Sequence, residues 1–448
     1  QDDPNLQSLL DAQTPAITIF GKSWDIHVFE ALRIELEDNL KIIEDSLAYL
    51  RPQVEHLIYD AEHFFDGFKN NKHYCLATIG SAIAGGAETI VLCDTNGGTL
   101  PHEIQAIVAE VQSFVEQKNA QVKLGIHAHN DSETAVANAL LSVELGVHQV
   151  QGTINGFGER CGNSNLTSII PALVFKMGYT CQVADHIDQL YSTSRLVDEL
   201  ANLSHDRYQP YVGESAFAHK GGIHVSAVQR NPLTYEHIEP EKVGNIRRVL
   251  ISDQAGKSNI LNKAAQFGIH LEANDPLLSS IITELKQREN LGYQYEAAEA
   301  SFELLMRDTL GLRRKFFELE AFRVMNHKYS MAKQPMTEAT IRLNVGGDEV
   351  HTAAIGDGPV NALDMALRKA LTSFYPNLNQ MKLTDYRVRV LTGEFGTGAK
   401  VRVLVDSKDE EDSWGTVGVS VNIMEASWQA LVDSINYKLL KDEKAKQS

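Results

Sequence analysis

Short runs of apolar and β-branched residues alternate with segments of helical periodicity along the first half of the chain. The β-rich runs begin at residues 16, 54, 89, 122 and 147, and a weaker sixth run covers Tyr211 to Ala218. The segment from His102 to Gln117 places apolar residues three and four positions apart, as one buried face of a helix requires. Alternating strands and helices predict an α/β fold with a parallel sheet.

Two α/β architectures fit this pattern. An eight-stranded TIM (β/α)8-type barrel needs two more βα units than the six runs supply, and those units would have to precede Gln1. An open doubly wound sheet of about six strands fits the pattern equally well. Pattern alone leaves both open, so the residues at the strand ends have to discriminate between them.

The pattern changes to helices with long connections near Asn231. Asp275 followed by Pro276 is a typical helix start, with an acidic N-cap and proline at the first helical position. We interpret residues 231–336 as a helical linker subdomain, which follows a catalytic region at 1–230. The polar stretch from Asn326 to Met336 marks the next boundary.

A strand-then-helix pattern occurs twice after Thr337. The first copy ends in a helix at Val360 to Leu371, and the second ends in a helix at about Glu425 to Leu440. This repeat predicts a C-terminal α+β domain at 337–448 with pseudo-symmetry. A crevice between two such halves suits a small ligand, and a plain dimerisation module is the alternative.

Charge and cysteine usage narrow the classes of partner. The 41 basic and 59 acidic residues give a formal charge of -18, which disfavours nucleic acid and anionic membrane surfaces. The four cysteines are dispersed and show no metal-binding spacing. No apolar run is long enough to span a membrane and the start lacks a signal-peptide pattern, so we expect a cytoplasmic protein.

Two histidines stand at the end of a predicted buried strand. His127 and His129 are two residues apart, so their side chains project to the same side of that strand. Active sites of β/α barrels are built at this end of the strands. The pair therefore predicts a divalent metal site, against the alternative that each is a hydrogen-bonded core histidine.

Polar residues also follow the neighbouring strands. Asn163 ends a glycine-rich loop and offers an amide oxygen to the same metal. Thr95 is placed to donate a hydrogen bond to a carboxylate, and Glu62 can serve as an acid, a base or an orienting group. Each of these alone fits a turn or capping role equally well, but their recurrence at consecutive strand ends favours a site.

With these residues in place, the sequence resembles the family of acyl-CoA-condensing synthases that includes isopropylmalate, homocitrate and citramalate synthases, and it is most similar to the citramalate branch. The resemblance covers nearly the whole chain. The matching stretches are YDAEHFFDGF (59–68), LCDTNGGTLPHEI (92–104), IHAHND (126–131), NGFGERCGN (155–163), AFAHKGGIHVSA (216–227), GDGPVNALDMALRKAL (356–371) and NIMEASWQALVDSINYKLL (422–440).

The resemblance implies a fold and roles for particular residues. It favours the barrel, with His127, His129 and Asn163 as ligands of a divalent metal. Magnesium and manganese are preferred, and zinc stays open because two imidazoles with oxygen ligands do not select one metal. It also implies that Thr95 contacts the substrate carboxylate and that Glu62 is a catalytic or orienting carboxylate. His219 matches a catalytic histidine that the family supplies from the partner subunit, which implies a homodimer. The residues that bind acetyl-CoA are not identified.

The resemblance also implies an activity and its regulation. An acyltransferase of this kind condenses acetyl-CoA with pyruvate and water to give (R)-citramalate and CoA for isoleucine biosynthesis, and isoleucine is the expected feedback inhibitor. The alternatives are 2-isopropylmalate synthase, acting on 2-ketoisovalerate for leucine, and an inactive form that still binds an amino acid. The family's Arg-Asp pair on the first barrel strand has no match here. The first two βα units are therefore expected to be missing, which puts the activity of the chain as written in doubt.

Overall fold

The computed structural model describes residues 3–250, 256–328, 330–331, 334–391 and 399–447. Within these ranges the chain forms two compact units. The first comprises Gln1–Phe217 and Ile238–Ile246, and the second comprises Ala218–His237 and Arg247–Ser448. Three residues of the predicted boundary stretch, at 329, 332 and 333, lie outside the described residues.

The first unit contains a five-stranded parallel sheet, in which the strands lie side by side in chain order. Its strands are β1 (Ala16–Lys22), β2 (His56–Glu62), β3 (Thr89–Asp94), β4 (Lys123–Ala128) and β5 (Gln149–Gln151). All six residues of β3 are buried, as expected for a strand covered on both faces. The predicted α/β class with alternating strands and helices is confirmed.

Helices connect and cover these strands. They are α1 (Pro4–Asp11), α2 (Asp25–His27), α3 (Leu36–Leu50), α4 (Phe64–Ala84), α5 (Pro101–Gln117), α6 (Ala135–Glu144), α7 (Leu166–Phe175) and α8 (Leu190–Leu200). Helix α5 buries Ile104, Ile107, Val108 and Val111, the three-and-four spacing read from the sequence. These side chains join a core with Leu57, Ile90 and other sheet residues.

The predicted sixth strand at 211–218 is wrong. Residues 211–217 form turns and bends. The Asn245 side chain donates hydrogen bonds to the carbonyls of Tyr211 and Gly213, both at 2.9 Å. Because a side chain pairs these carbonyls, they are not available to a strand ladder. Only Ala218–His219 is extended, as β6, and it pairs with β7 (Arg248–Val249) in a separate two-stranded sheet.

Four helices make up most of the first half of the second unit. They are α9 (Gly222–Arg230), α10 (Lys257–Gln266), α11 (Pro276–Leu291) and α12 (Glu299–Thr309). The predicted start of α11 is confirmed, since the Asp275 side chain accepts a hydrogen bond from the Leu277 N–H at 2.9 Å. Buried residues of α10, α11 and α12 share one apolar cluster with Val417 and Val419.

Two three-stranded antiparallel sheets follow, each with one helix. The elements are β8 (Glu318–His327), β9 (Met336–Val345), β10 (Asp348–Gly356), α13 (Pro359–Leu371), β11 (Lys382–Val390), β12 (Val401–Lys408), β13 (Ser413–Ser420) and α14 (Ile423–Gln447). The repeated strand-and-helix pattern is thus present. Strand β8 was not predicted, and its pairing with β9 extends the first sheet upstream of the boundary expected at residue 337.

Within the described part of the chain, no helix has the length and apolar content needed to cross a membrane.

Candidate active site

The polar residues singled out in the first unit lie together at the carboxyl ends of adjacent parallel strands. Strand β4 pairs with β3 so that His127 lies beside Cys93, and β5 places Gln151 on the other side of His127. His129 forms an isolated bridge with Asn163, so the loop after β5 returns to the end of β4. This end of a parallel sheet is where α/β folds bind ligands.

His127 has a defined orientation. Its Nδ1 lies 2.8 Å from Gln151 Oε1, and Gln151 Nε2 donates to Asp60 Oδ1 at 3.0 Å. Because the Gln151 amide N–H points to Asp60, the amide oxygen of Gln151 faces the His127 imidazole and accepts a hydrogen bond from its Nδ1–H. The His127 Nε2 lone pair is then available, which is the tautomer that a metal ligand requires. Burial raises the pKa of Asp60, opposed by the hydrogen bond from Gln151.

His129 and Asn163 present unsatisfied polar atoms. The Nδ1 of His129 and the Oδ1 of Asn163 are buried and have no hydrogen-bond partner among the described residues. Such atoms are costly to bury unless a ligand completes them. Burial first, and then the neighbouring His127, lowers the pKa of His129. A neutral imidazole is the form that binds a metal, so the donor set fits a divalent cation.

Nothing in the described ranges places three or more His, Cys, Asp or Glu side chains where they would hold a metal ion. The candidate set avoids that pattern because its third member, Asn163, is an amide. The imidazole rings of His127 and His129 have centroids 5.2 Å apart and are tilted by 35°. Two imidazoles and an amide oxygen suit a metal that keeps further positions for water or substrate.

Thr95 lies at the end of β3 with its hydroxyl oriented. The Thr95 Oγ1 accepts a hydrogen bond from the His63 backbone N–H at 2.8 Å. With that acceptor position filled, the hydroxyl proton remains to donate to an anion. His63 has a left-handed backbone, with φ of 55°, that turns its N–H toward Thr95.

Glu62 ends β2 and forms an ion pair with Lys22, the residue that the parallel register places beside it on β1. Both side chains are about one-fifth exposed, at 23% and 19%. The carboxylate therefore has a fixed cationic neighbour at the edge of the site. Lys22 was not predicted from the sequence, because the register between strands cannot be read from one chain.

Three aromatic side chains, which the sequence did not reveal, form a cluster beside Glu62. The rings of His27 and His63 stack with centroids 4.0 Å apart, and Trp24 lies 5.4 Å from His27. Burial, followed by the charge of His27, lowers the pKa of His63 to about 4. His63 is therefore a neutral imidazole near neutral pH.

A salt bridge between Arg160 and Asp131 joins the loops that follow β4 and β5. Arg160 donates to both oxygens of Asp131, at 2.8 and 2.9 Å, and to the Thr95 carbonyl at 2.7 Å. The Arg160 hydrogen bonds lower the pKa of Asp131. Gly97, with φ of 64°, lets Asp131 approach, because a Cβ there would lie 2.4 Å from Asp131 Oδ2. Arg160 thus connects the loop after β5 to the loop after β3.

His219 belongs to the second unit and is buried there. Its Nε2 lies 3.0 Å from Glu236 Oε1, and Arg247 contacts both oxygens of the same carboxylate. Burial opposes ionisation of Glu236, but the hydrogen bonds from Arg247 and His219 outweigh it and lower its pKa. Glu236 therefore orients the His219 imidazole as an ionised carboxylate.

Family comparisons match three regions of the chain. Residues 3–197 match the HMGL-like family. Residues 211–291 match the homocitrate synthase post-HMGL domain-like family, and residues 296–439 match the LeuA allosteric (dimerisation) domain.

Curated relatives match almost the whole chain. The (R)-citramalate synthase of Geobacter sulfurreducens is 57% identical, over 98% of this chain and 83% of that protein. The (R)-citramalate synthase of Aquifex aeolicus is 53% identical, over 99% of this chain and 83% of that protein. A probable 2-isopropylmalate synthase of Methanopyrus kandleri is 31% identical, over 96% of this chain and 83% of that protein. The chain therefore belongs to the citramalate synthase family, which is a family of acyltransferases.

Proposed function

We propose that this protein condenses acetyl-CoA with pyruvate and water to give (R)-citramalate and CoA. The observation that carries the proposal is the convergence of His127, His129 and Asn163 beside Thr95 at one end of the sheet, with buried unpartnered atoms on His129 and Asn163. Relatives that are named (R)-citramalate synthases and are 57% and 53% identical support pyruvate as the keto acid.

The proposed metal ligands are His127, His129 and Asn163. When bound there, a divalent metal supplies Lewis-acid polarisation of the keto-acid carbonyl. We propose magnesium or manganese before zinc; the amide oxygen of Asn163 suits these two metals, whereas the two imidazoles also suit zinc. Gln151 keeps His127 in the ligating tautomer through its contact with Nδ1, at 2.8 Å.

The other side chains bind substrate and handle protons. We assign Thr95 to the pyruvate carboxylate, because the His63 N–H occupies one acceptor position of its hydroxyl oxygen and the O–H can still donate. Glu62, which pairs with Lys22, is proposed either to orient the acetyl group or to act as the base that accepts a proton from the acetyl methyl. His219, held by Glu236, is proposed to act as acid, base or relay in the active site of a second copy within a homodimer.

Keto-acid preference tests the assignment. CoA release should be measured in the full-length enzyme with acetyl-CoA, Mg²⁺ or Mn²⁺, and either pyruvate or 2-ketoisovalerate. A pocket fitted to the methyl group of pyruvate should lose about 10- to 200-fold in kcat/KM for each extra methylene-sized group. A preference for 2-ketoisovalerate would instead identify a 2-isopropylmalate synthase.

The second unit is proposed to bind isoleucine as a feedback inhibitor of isoleucine biosynthesis. Support comes from the match of residues 296–439 to an allosteric dimerisation domain. The effector must bind one dimer state more tightly than another, since equal affinity shifts no equilibrium. Calorimetric titration of the whole chain should detect isoleucine and not valine. A fragment beginning at 337 is unsuitable because it would remove β8 from its sheet.

The proposed location is the cytoplasm, where a reducing environment keeps thiols free. The four cysteines are unpaired, and Cys75 and Cys93 are buried.

A further inference from the structure

A buried polar network on helix α8 and the segment after it contacts the loop that carries Asn163. We infer that Asp198 and His205 are positioning residues, which hold Asn155 and thereby fix the loop from residue 155 to residue 163 (the ligand loop) for metal binding. The inference rests on the proposed metal site. It goes beyond that site because neither residue touches the metal ligands themselves.

The Asn155 amide is fully saturated by hydrogen bonds. Its Nδ2 donates to the Ser194 carbonyl at 2.9 Å and to Asp198 Oδ1 at 2.8 Å. Its Oδ1 accepts from the Ser194 hydroxyl at 2.7 Å and from Gln209 Nε2 at 3.3 Å. Two donors and two acceptor positions are all that a side-chain amide offers, so this environment selects one orientation of Asn155.

Asp198 is itself fixed by His205. The Asp198 Oδ2 lies 2.5 Å from His205 Nδ1, and both side chains are only 7% exposed. The other ring nitrogen, Nε2, lies 3.2 Å from the Val212 carbonyl oxygen. Both imidazole nitrogens therefore lie against an oxygen atom, one from the Asp198 carboxylate and one from the Val212 backbone. Asp198 is buried, and each of its carboxylate oxygens is held by a different residue, Oδ1 by Asn155 and Oδ2 by His205, which makes Asp198 a rigid anchor for Asn155.

The backbone transmits the position of Asn155 to Asn163. Asn155 has a left-handed conformation, with φ of 62°, that turns the chain into the ligand loop. The Asn163 N–H donates to the Gly156 carbonyl at 2.9 Å, one residue beyond the anchor. The Asn163 side chain lies against Gly158, where an added Cβ would come within 2.8 Å of it.

The opposite side of the ligand loop is held by strand β4. The Asn130 N–H donates to the Gly162 carbonyl and the Ser164 N–H donates to the Ala128 carbonyl, both at 2.9 Å. The backbone around Asn163 is therefore held on one side by β4 and the residues after it, and on the other side by the turn at Asn155. Without Asp198, the side of the ligand loop that is held through Asn155 loses its support.

The test is Mn²⁺ affinity, measured by electron paramagnetic resonance of free Mn²⁺ in the full-length protein. Asp198→Ala should weaken Mn²⁺ binding by about 10- to 100-fold, the effect expected of outer residues that orient metal ligands. Asp198→Asn should retain affinity within about threefold, because an amide can still accept from Asn155 and pair with a neutral imidazole. His56→Gln, at an exposed ion pair with Glu88, is the matched control and should change nothing.

Asn155→Gly is the second variant, used in case Asp198→Ala does not fold. Glycine tolerates the left-handed backbone but removes the saturated amide, so Mn²⁺ affinity should again fall by about 10-fold or more. Lower melting temperatures with unchanged Mn²⁺ affinity in these variants would overturn the positioning role and leave the metal site intact. Absence of Mn²⁺ binding by the unsubstituted protein would overturn both.

Discussion

At the scale of single residues, the site depends on which atom each side chain offers. Sequence spacing placed His127 and His129 on one side of a strand, but the choice of ligating nitrogen depends on Gln151 and Asp60. These partners lie 24 and 67 residues away along the chain, as the numbering shows. The contact between His127 and Gln151 follows from the pairing of β4 with β5, whereas Gln151 reaches Asp60 on β2, which is not adjacent to β5 in the sheet. Pattern analysis provides neither contact. The candidate ligands could therefore be named from the sequence, and the structure brings them together. The residues that orient them could not be named.

Thr95 provides a test at this scale. Thr95→Val keeps the shape but removes the hydroxyl, so the pyruvate carboxylate should lose one hydrogen bond to a charged group. Such bonds contribute about 1.5–3 kcal/mol, which corresponds to about 10- to 150-fold in KM. Thr95→Ser keeps the hydroxyl and should stay close to the original KM. An unchanged KM in the valine variant would remove Thr95 from the substrate site.

His63 makes stability depend on pH. Its pKa in the folded protein is about 4, below the ordinary value of 6.5, because burial disfavours the charged ring. The unfolded chain therefore binds a proton first as pH falls. The contribution of His63 to the free energy of unfolding is therefore complete above about pH 6.5, and it is lost progressively as the pH falls from 6.5 to about 4.

The measurement is denaturant unfolding at several pH values, comparing the protein with His63→Asn. Asparagine tolerates the left-handed backbone, so the variant should fold. It should show a smaller loss of unfolding free energy between pH 6.5 and 4 than the unsubstituted protein. Parallel pH profiles for the two proteins would contradict a buried neutral imidazole at this position.

At the scale of secondary-structure elements, local signals predicted what they directly determine. Helix α11 begins where Asp275 and Pro276 indicated, and β9, β10, α13 and the later strands lie within a few residues of expectation. Strand β8 was missed because its residues are mostly exposed and show no clean alternation. The segment at 211–217 was wrongly predicted as a strand because Asn245 pairs its carbonyls from a distant part of the chain.

The N-cap of α11 can be tested directly. Asp275→Ala removes the acceptor for the Leu277 N–H, so the free energy of unfolding of the second unit should fall by about 1 kcal/mol. Asp275→Asn keeps an acceptor of similar capping strength and is the control. Equal destabilisation by both substitutions in urea titrations would show that charge rather than the cap is responsible.

At the scale of the whole molecule, the two compact units carry different parts of the proposed chemistry. The first holds His127, His129, Asn163, Thr95 and Glu62, and the second holds His219. The resemblance implied that His219 comes from a partner subunit, but the boundary predicted after residue 230 kept it in the catalytic region rather than in a separate unit. Periodicity supplied only the number and type of elements, since no pattern within one chain shows how two copies assemble.

Mixing of inactive variants tests whether His219 acts in the other copy. His219→Ala and His129→Ala should each abolish CoA release in a homodimer. After the two variants are combined and allowed to exchange subunits, half of the dimers contain one subunit of each variant. In such a dimer, one of the two active sites has both histidines. Activity should therefore return to about one quarter of the original value. No recovery, with subunit exchange verified by mass, would place His219 in its own subunit's site.

The most direct test of the metal site is a crystal of the full-length enzyme grown with Mn²⁺ and pyruvate, measured for anomalous scattering. One strong peak is expected per active site, contacted by His127 Nε2, His129 Nδ1 and Asn163 Oδ1, with the pyruvate carboxylate near Thr95. A peak bound by other residues, or pyruvate bound away from the ends of β3 and β4, would contradict this assignment.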